Sequence, residues 1–183
     1  MRQLNSFVQA KPVRCIGCRT CMIACVVAHE GKRIFEIDPD SYAFNPRLFM
    51  VKTARLSAPV QCRHCENPAC KQACTSGAIS IKDNTVFIDA KKCIACKNCV
   101  IACPFGAVEI VETAEVNNDG TNKKVANKCD LCVGVADSPS CIRVCPTEAL
   151  SLVTEERFGE SLSNKRKAAL EGAVLESAVG AAS

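Results

Sequence analysis

The sequence predicts an α+β fold: two nested units of short β-hairpins and short helices, folded around cysteine-bearing loops, with a separate helix at the C-terminus. Three observations predict it. The 183 residues include 16 cysteines, which fall into four groups of four. Short alternating strands follow three of those groups. An Ala-rich run that Ser163 or Asn164 can cap closes the chain.

The first quartet is Cys15, Cys18, Cys21 and Cys25; the third is Cys93, Cys96, Cys99 and Cys103, followed by Pro104. Both have C-x2-C-x2-C-x3-C spacing, the bacterial ferredoxin run. Three thiolates spaced in this way line a tight loop around three irons of a cube, while the fourth lies one helical turn on, points away and ligates a neighbouring cluster. The second quartet, Cys62, Cys65, Cys70 and Cys74, widens the middle gap to four residues. The fourth, Cys129, Cys132, Cys141 and Cys145 with Pro146, widens it to eight. The expected cofactors are therefore four [4Fe–4S] clusters, bound through iron to all sixteen thiolates. Zinc is the competing reading, since paired C-x2-C knuckles build zinc ribbons. Against it, the last two cysteines of every quartet have three residues between them and form no second knuckle. A c-type haem is excluded, because no C-x-x-C is followed by His; Cys65 precedes Glu66.

Composition agrees with metal-organised folding. With no Trp, one Tyr and seven Phe, few large side chains can fill a core, and metal binding supplies folding free energy in their place. Met1 to Arg14 has no apolar leader stretch and no paired-Arg signal, so the expected location is cytoplasmic. There, reducing conditions favour metal ligation over disulfides. No apolar run reaches the length of a membrane span. The formal charge of +4 counts Cys as neutral; four oxidised cubanes of charge roughly −2 would bring it to about −4. The apparent basicity is therefore no sign of a nucleic-acid partner. Arg14, Arg19, Arg63, Lys71, Lys91, Lys92, Lys97, Lys128 and Arg143 lie near the cysteine runs, either offsetting cluster charge or forming a solvated rim.

A second repeat indicates how the quartets pair. Gly77-Ala78-Ile79-Ser80-Ile81, Gly106-Ala107-Val108-Glu109-Ile110 and Glu148-Ala149-Leu150-Ser151-Leu152 each read as a strand after a quartet. The first leads through Lys82-Asp83-Asn84 into Val86-Phe87-Ile88-Asp89, a hairpin between quartets two and three. Phe7-Val8-Gln9-Ala10-Lys11 resembles Phe87 to Lys91 and needs a partner strand, for which Leu150 to Thr154 is the best candidate. Nesting follows, with ligands exchanged between partner quartets. In the inner unit, Cys62, Cys65, Cys70 and Cys103 hold one cluster, and Cys93, Cys96, Cys99 and Cys74 its neighbour. In the outer unit, Cys15, Cys18, Cys21 and Cys145 hold one, and Cys129, Cys132, Cys141 and Cys25 the other. A sequential scheme, quartet one with two and three with four, stays open. The expected organisation is an outer unit of 1–30 and 104–159, an insertion at 31–59, an inner unit at 60–103 and a helical tail at 160–183.

Cys-Ile-Gly-Cys-Arg-Thr-Cys at 15 to 21, Cys-Arg-His-Cys-Glu-Asn-Pro-Ala-Cys at 62 to 70, Cys-Pro-Phe-Gly-Ala at 103 to 107 and Cys-Asp-Leu-Cys at 129 to 132 carry a family resemblance. Over about residues 5 to 155 the chain resembles the four-cluster ferredoxin-like subunits of molybdopterin oxidoreductases and hydrogenase complexes. It resembles in particular the small electron-transfer subunits of formate hydrogenlyase and hydrogen-dependent carbon dioxide reductase. The resemblance implies nested ligand exchange and a non-catalytic subunit that passes electrons by hopping. Its implied partners are a molybdenum or tungsten formate dehydrogenase-type catalytic subunit and an iron-only or nickel–iron hydrogenase, or a second ferredoxin-like subunit. Thr75 departs from the family, which usually has Pro there; this puts local packing, but not ligation, in question.

Other residues carry weaker signals. His64 is expected at the surface or beside its cluster rather than as a ligand, and His29 is expected only to pack. Residues 31–59, with Phe35, Phe44 and Phe49, read as a docking surface or as a cover over the outer clusters. Asn117 to Lys124 reads as an exposed loop. The tail is expected to pack on its own domain or to serve partner binding or oligomer assembly. A freely diffusing polyferredoxin and a zinc-stabilised interaction module are the competing functions.

Overall fold

Short alternating runs, broken by residues that accept a left-handed backbone, give this chain its strands. The structure is a computed structural model that describes residues 4–31, 33–36, 43–117 and 119–180, with side chains described as far as 172. Among the described residues, eight strands form four antiparallel pairs. β1 (Phe7–Ala10) pairs with β8 (Leu150–Val153) in the register Val8 to Leu152. This is the partner expected for the N-terminal segment. β2 (Leu48–Lys52) pairs with β3 (Ser57–Gln61), β4 (Ile79–Lys82) with β5 (Thr85–Ile88), and β6 (Glu109–Val116) with β7 (Asn122–Asn127). The β4–β5 hairpin turns through Asp83 and Asn84, both left-handed at φ +46° and +58°. That turn twists in the same sense as the strands it joins.

Four helices start at cysteine loops. α1 (Thr20–Glu30) carries Cys21 and Cys25; α2 (Ala69–Gln72), α3 (Asn98–Ala102) and α4 (Ser140–Arg143) carry Cys70, Cys99 and Cys141. α1 stops at Gly31, whose φ of +66° places its N–H 3.0 Å from the Val27 carbonyl. Two cores result. Val8, Leu48, Leu131 and Leu150 pack with Cys21, Cys25, Cys62, Cys129 and Cys141; Ile79, Val86, Val108 and Ala126 pack with Cys70 and Cys99. The first is covered by β1–β8 and β2–β3, the second by β4–β5 and β6–β7.

Three expectations change. The C-terminal helix, α5 (Glu155–Gly180), begins before 160, and neither Ser163 nor Asn164 caps it. Thr154 does, its hydroxyl accepting from the Arg157 N–H at 3.4 Å. From Glu155 to Gly172 every residue except Leu162 is exposed, so this length of α5 does not pack on its own domain. Asn122 to Lys124 belongs to β7 rather than to a loop, because Thr113 and backbone pairing hold a polar-faced hairpin there. The 31–59 segment is partly a hairpin. Leu48 is buried in the first core and Met50 packs against it, which makes β2–β3 a cover, while Phe35 and Phe44 remain exposed. Residues 37–42 of that segment lie outside the described residues.

Candidate metal centres

One backbone feature recurs in all four cysteine loops. The second residue after the first cysteine has positive φ in each: Gly17 at +69°, His64 at +46°, Ala95 at +55° and Leu131 at +61°. This left-handed residue folds each C-x2-C back on itself, so that its two thiols face one side. The first and third quartets repeat it two residues on, at Arg19 and Lys97, just before α1 and α3 start.

The thiols of different quartets meet. Cys145 lines one small cavity with Cys15, Cys18 and Cys21; Cys74 lines another with Cys93, Cys96 and Cys99. Burial raises the Cys141 thiol, and the charges of Cys129, Cys25 and Cys132 beside it raise it further. Cys62 is likewise raised by burial and then by Cys65 and Cys103, and Cys70, pushed up to about 11, by burial and then by Cys62 and Cys103. Burial also pushes Cys129 up to about 12. Only Cys18 and Cys96 are exposed.

The fourth cysteine of three quartets is held in the same way. Ala107 and Ala149 donate their N–H to Cys103 and Cys145 at 3.4 and 3.2 Å, each four residues on. Ser76 and Thr147 place hydroxyls 3.7 Å from Cys74 and Cys145. Thr75 closes the same turn as Pro104 and Pro146: Gly77, Gly106 and Glu148 bond back to Cys74, Cys103 and Cys145 at 3.2–3.3 Å. The departure from Pro therefore leaves this turn intact. Cys25 differs because α1 continues past it. Its sulfur accepts instead from the Arg47 N–H at 3.4 Å, supplied by the 31–59 segment.

His29 departs from expectation, and of the two places expected for His64 the structure takes the one beside the cysteines, its backbone N–H donating to Cys62 Sγ at 3.4 Å. His29 does more than pack: Nδ1 lies 2.7 Å from the Cys25 carbonyl oxygen and Nε2 2.9 Å from Asp130 Oδ1. Burial would lower its pKa, but the bonds to Asp130 and Cys25 outweigh that and raise it to about 10. Arg47 Nη1 reaches the other Asp130 oxygen at 2.7 Å. His64 is not at the surface; it is 1% exposed, and its Nδ1 accepts from the Val86 N–H at 3.0 Å. Its signal in the sequence was only its place between Cys62 and Cys65. Burial, and then the Lys128 charge, lowers its pKa to about 3, so the ring is neutral. Lys128 is buried as well, donating to the carbonyls of Val86 and Cys129.

The donor set fits iron–sulfur clusters. All sixteen cysteines are free, and half of them are buried where an uncompensated thiolate is costly. Among the described residues, the buried polar atoms without a hydrogen-bond partner are Gln61 Oε1, His64 Nε2 and Ser140 Oγ, all beside cysteines of quartets two and four. With Nδ1 accepting, His64 Nε2 carries the proton; it and the Ser140 hydroxyl are donors suited to cluster sulfur.

Comparison with known proteins agrees. The 4Fe–4S dicluster domain family matches residues 53–155. Electron transport protein HydN of Escherichia coli strain K12 is 39% identical over 171 residues, covering 90% of this chain and 97% of that protein. Hydrogenase-4 component A of the same strain is 33% identical over 194 residues, covering 91% of each. An iron-sulfur protein of Rhodospirillum rubrum is 37% identical over 169 residues, covering 88% and 89%. The solved active-site complex BamBC of benzoyl coenzyme A reductase matches at 20% identity and a TM-score of 0.40, covering 93% of this chain and 96% of that one, too loosely to argue from. Left-handed C-x2-C loops, buried free thiols and these matches converge on one conclusion: the chain belongs to the 4Fe–4S dicluster domain family, as a HydN-like ferredoxin protein.

Proposed function

We propose that the chain is a non-catalytic electron-transfer subunit holding four [4Fe–4S] clusters. It relays electrons between a formate dehydrogenase or carbon dioxide reductase-type catalytic subunit and a hydrogenase or other redox subunit, in the cytoplasm. The observation that carries this reading is the single backbone shape shared by all four C-x2-C loops, which suits four like centres. The cavities lined by Cys145 with the first quartet, and by Cys74 with the third, support ligand exchange within nested units of 1–30 with 104–159 and of 60–103. When bound, a [4Fe–4S] cluster supplies a one-electron redox couple.

The protein's own residues hold and tune the array. Backbone N–H groups of Ala107, Ala149 and Arg47 offset negative charge on Cys103, Cys145 and Cys25, which favours reduction there. Apolar side chains of the two cores keep water from the inner thiols. Cys18 and Cys96, the exposed thiols, mark the two places where the array reaches the surface and partners can approach.

Anaerobic iron and acid-labile sulfide analysis tests the cofactor content. About sixteen of each per chain is expected; zinc with little sulfide would overturn the reading. Native co-purification tests the role. A large complex containing a formate- or hydrogen-active subunit is expected, whereas a lone monomer would favour a freely diffusing polyferredoxin.

A further inference from the structure

Lys128 is a buried cation, 3% exposed, and its bonds link residues of the two cores. It directly follows β7 and precedes Cys129, a residue of the first core. Its ammonium reaches back to the carbonyl of Val86 on β5, a residue of the second core, and also bonds the Cys129 carbonyl at 2.8 Å. Cys62, of the second quartet, is packed in the first core with Cys25, Cys129 and Cys141, and the Lys128 charge acts on both Cys62 and Cys129, so thiols of two expected clusters lie near this side chain. Two of its three N–H donors are taken by carbonyls, and neither partner is a carboxylate. Among the described residues no acidic side chain pairs with it. A buried ammonium without a carboxylate is costly unless other negative charge lies close.

We infer that Lys128 is a fixed internal countercharge shared by two clusters, the one on Cys62, Cys65, Cys70 and Cys103 and the one on Cys25, Cys129, Cys132 and Cys141. This rests on the four-cluster reading above. Each cluster gains negative charge on reduction, so a cation held between two of them favours the reduced form of both and raises both potentials. The same charge makes the two middle potentials move together, across the junction between the inner and outer units. Because it is buried, it is screened far less by salt than the surface lysines Lys71 and Lys97. Lys128 acts through the clusters' surroundings and is a positioning residue for charge, not a ligand.

The test uses the full-length, anaerobically loaded protein and its Lys128→Met variant, with iron and sulfide measured before an EPR-monitored redox titration. Fewer than four clusters in the unmodified protein would overturn the four-cluster reading itself, independently of the lysine. With four present in both proteins, two midpoints in the variant are expected to fall, by about tenfold in the one-electron reduction equilibrium, or about 59 mV. The other two should stay in place, and the shift should persist at high salt. Lys128→Arg, which keeps the charge, should restore both midpoints, and Lys97→Met should give only a salt-sensitive change. Should Lys128→Met lose iron, Lys128→Gln, whose amide can still donate to the Val86 carbonyl, carries the titration. Unchanged midpoints, a shift in one cluster only, or loss of iron from both neutral variants would overturn the inference.

Discussion

His29 Nε2 lies 2.9 Å from Asp130 Oδ1, which ties the last turn of α1 to the loop of the fourth cysteine quartet. Asp130 also accepts from Arg47 at 2.7 Å and from the Cys132 N–H at 3.0 Å. One carboxylate thus gathers three segments far apart in sequence. Burial works against its charge, but the His29 bond and the Arg47 charge prevail and hold its pKa below the usual range. Replacing Asp130 with Asn should weaken three charge-assisted bonds at once and destabilise the loaded protein by about 2–3 kcal/mol. Denaturant titration followed by cluster absorbance measures this, and a loss under about 0.5 kcal/mol would show the bridge to be idle.

The left-handed position in the cysteine loops is glycine once, and its replacement should be asymmetric. At Gly17 a Cβ would meet Ser57 Oγ at 3.1 Å, and φ is +69°. Gly17→Ala should therefore cost about 1–2 kcal/mol from the backbone alone, more if Ser57 must shift. Ala95 occupies the equivalent position at φ +55°, so Ala95→Gly should be neutral or stabilising by up to about 1 kcal/mol. Thermal denaturation of the two variants side by side checks the signs.

Removal of iron should unfold the cores rather than leave an empty scaffold. Burial pushes Cys21, Cys70 and Cys129 up to about 11, 11 and 12, so without metal these thiols become neutral and lose the interaction that gathers them. After anaerobic chelation, amide hydrogen exchange should lose protection in β1, β4, β5 and β8. Retained protection in those strands would show that apolar packing suffices.

Truncation after Gly159 should leave iron and sulfide content unchanged, since the helix beyond it is exposed through Gly172 apart from Leu162. The cut keeps the bond from Arg157 Nη1 to the Leu152 carbonyl, 3.2 Å long. Metal analysis of the shortened protein checks this, and loss of more than one cluster's worth of iron would show that α5 supports the core.

Much of the fold was legible because cysteine spacing and period-two strands are both local signals. The pairing of Phe7–Ala10 with Leu150–Val153 was readable from the likeness between two segments that precede quartets. What stayed hidden were the long-range polar contacts. His29 gives no sequence signal for Asp130, which is 101 residues away, and Lys128 reads like any surface lysine until Val86 is placed against it. The β6–β7 hairpin was only half visible, because Asn122-Lys123-Lys124 is as polar as a loop while still alternating across a ladder. The start of α5 was missed because Thr154 directly follows a strand, so its capping role was masked by the alternation before it.

The antiparallel ladder between β1 and β8 also has a consequence for biosynthesis. Phe7 is synthesised long before Val153, the residue opposite it. β1 must therefore wait, unpaired, until β8 has been made, whereas Ile79 and Ile88 can meet as soon as the eight residues between them emerge. A nascent chain stalled short of residue 150 would leave β1 as an unpaired, sticky strand edge.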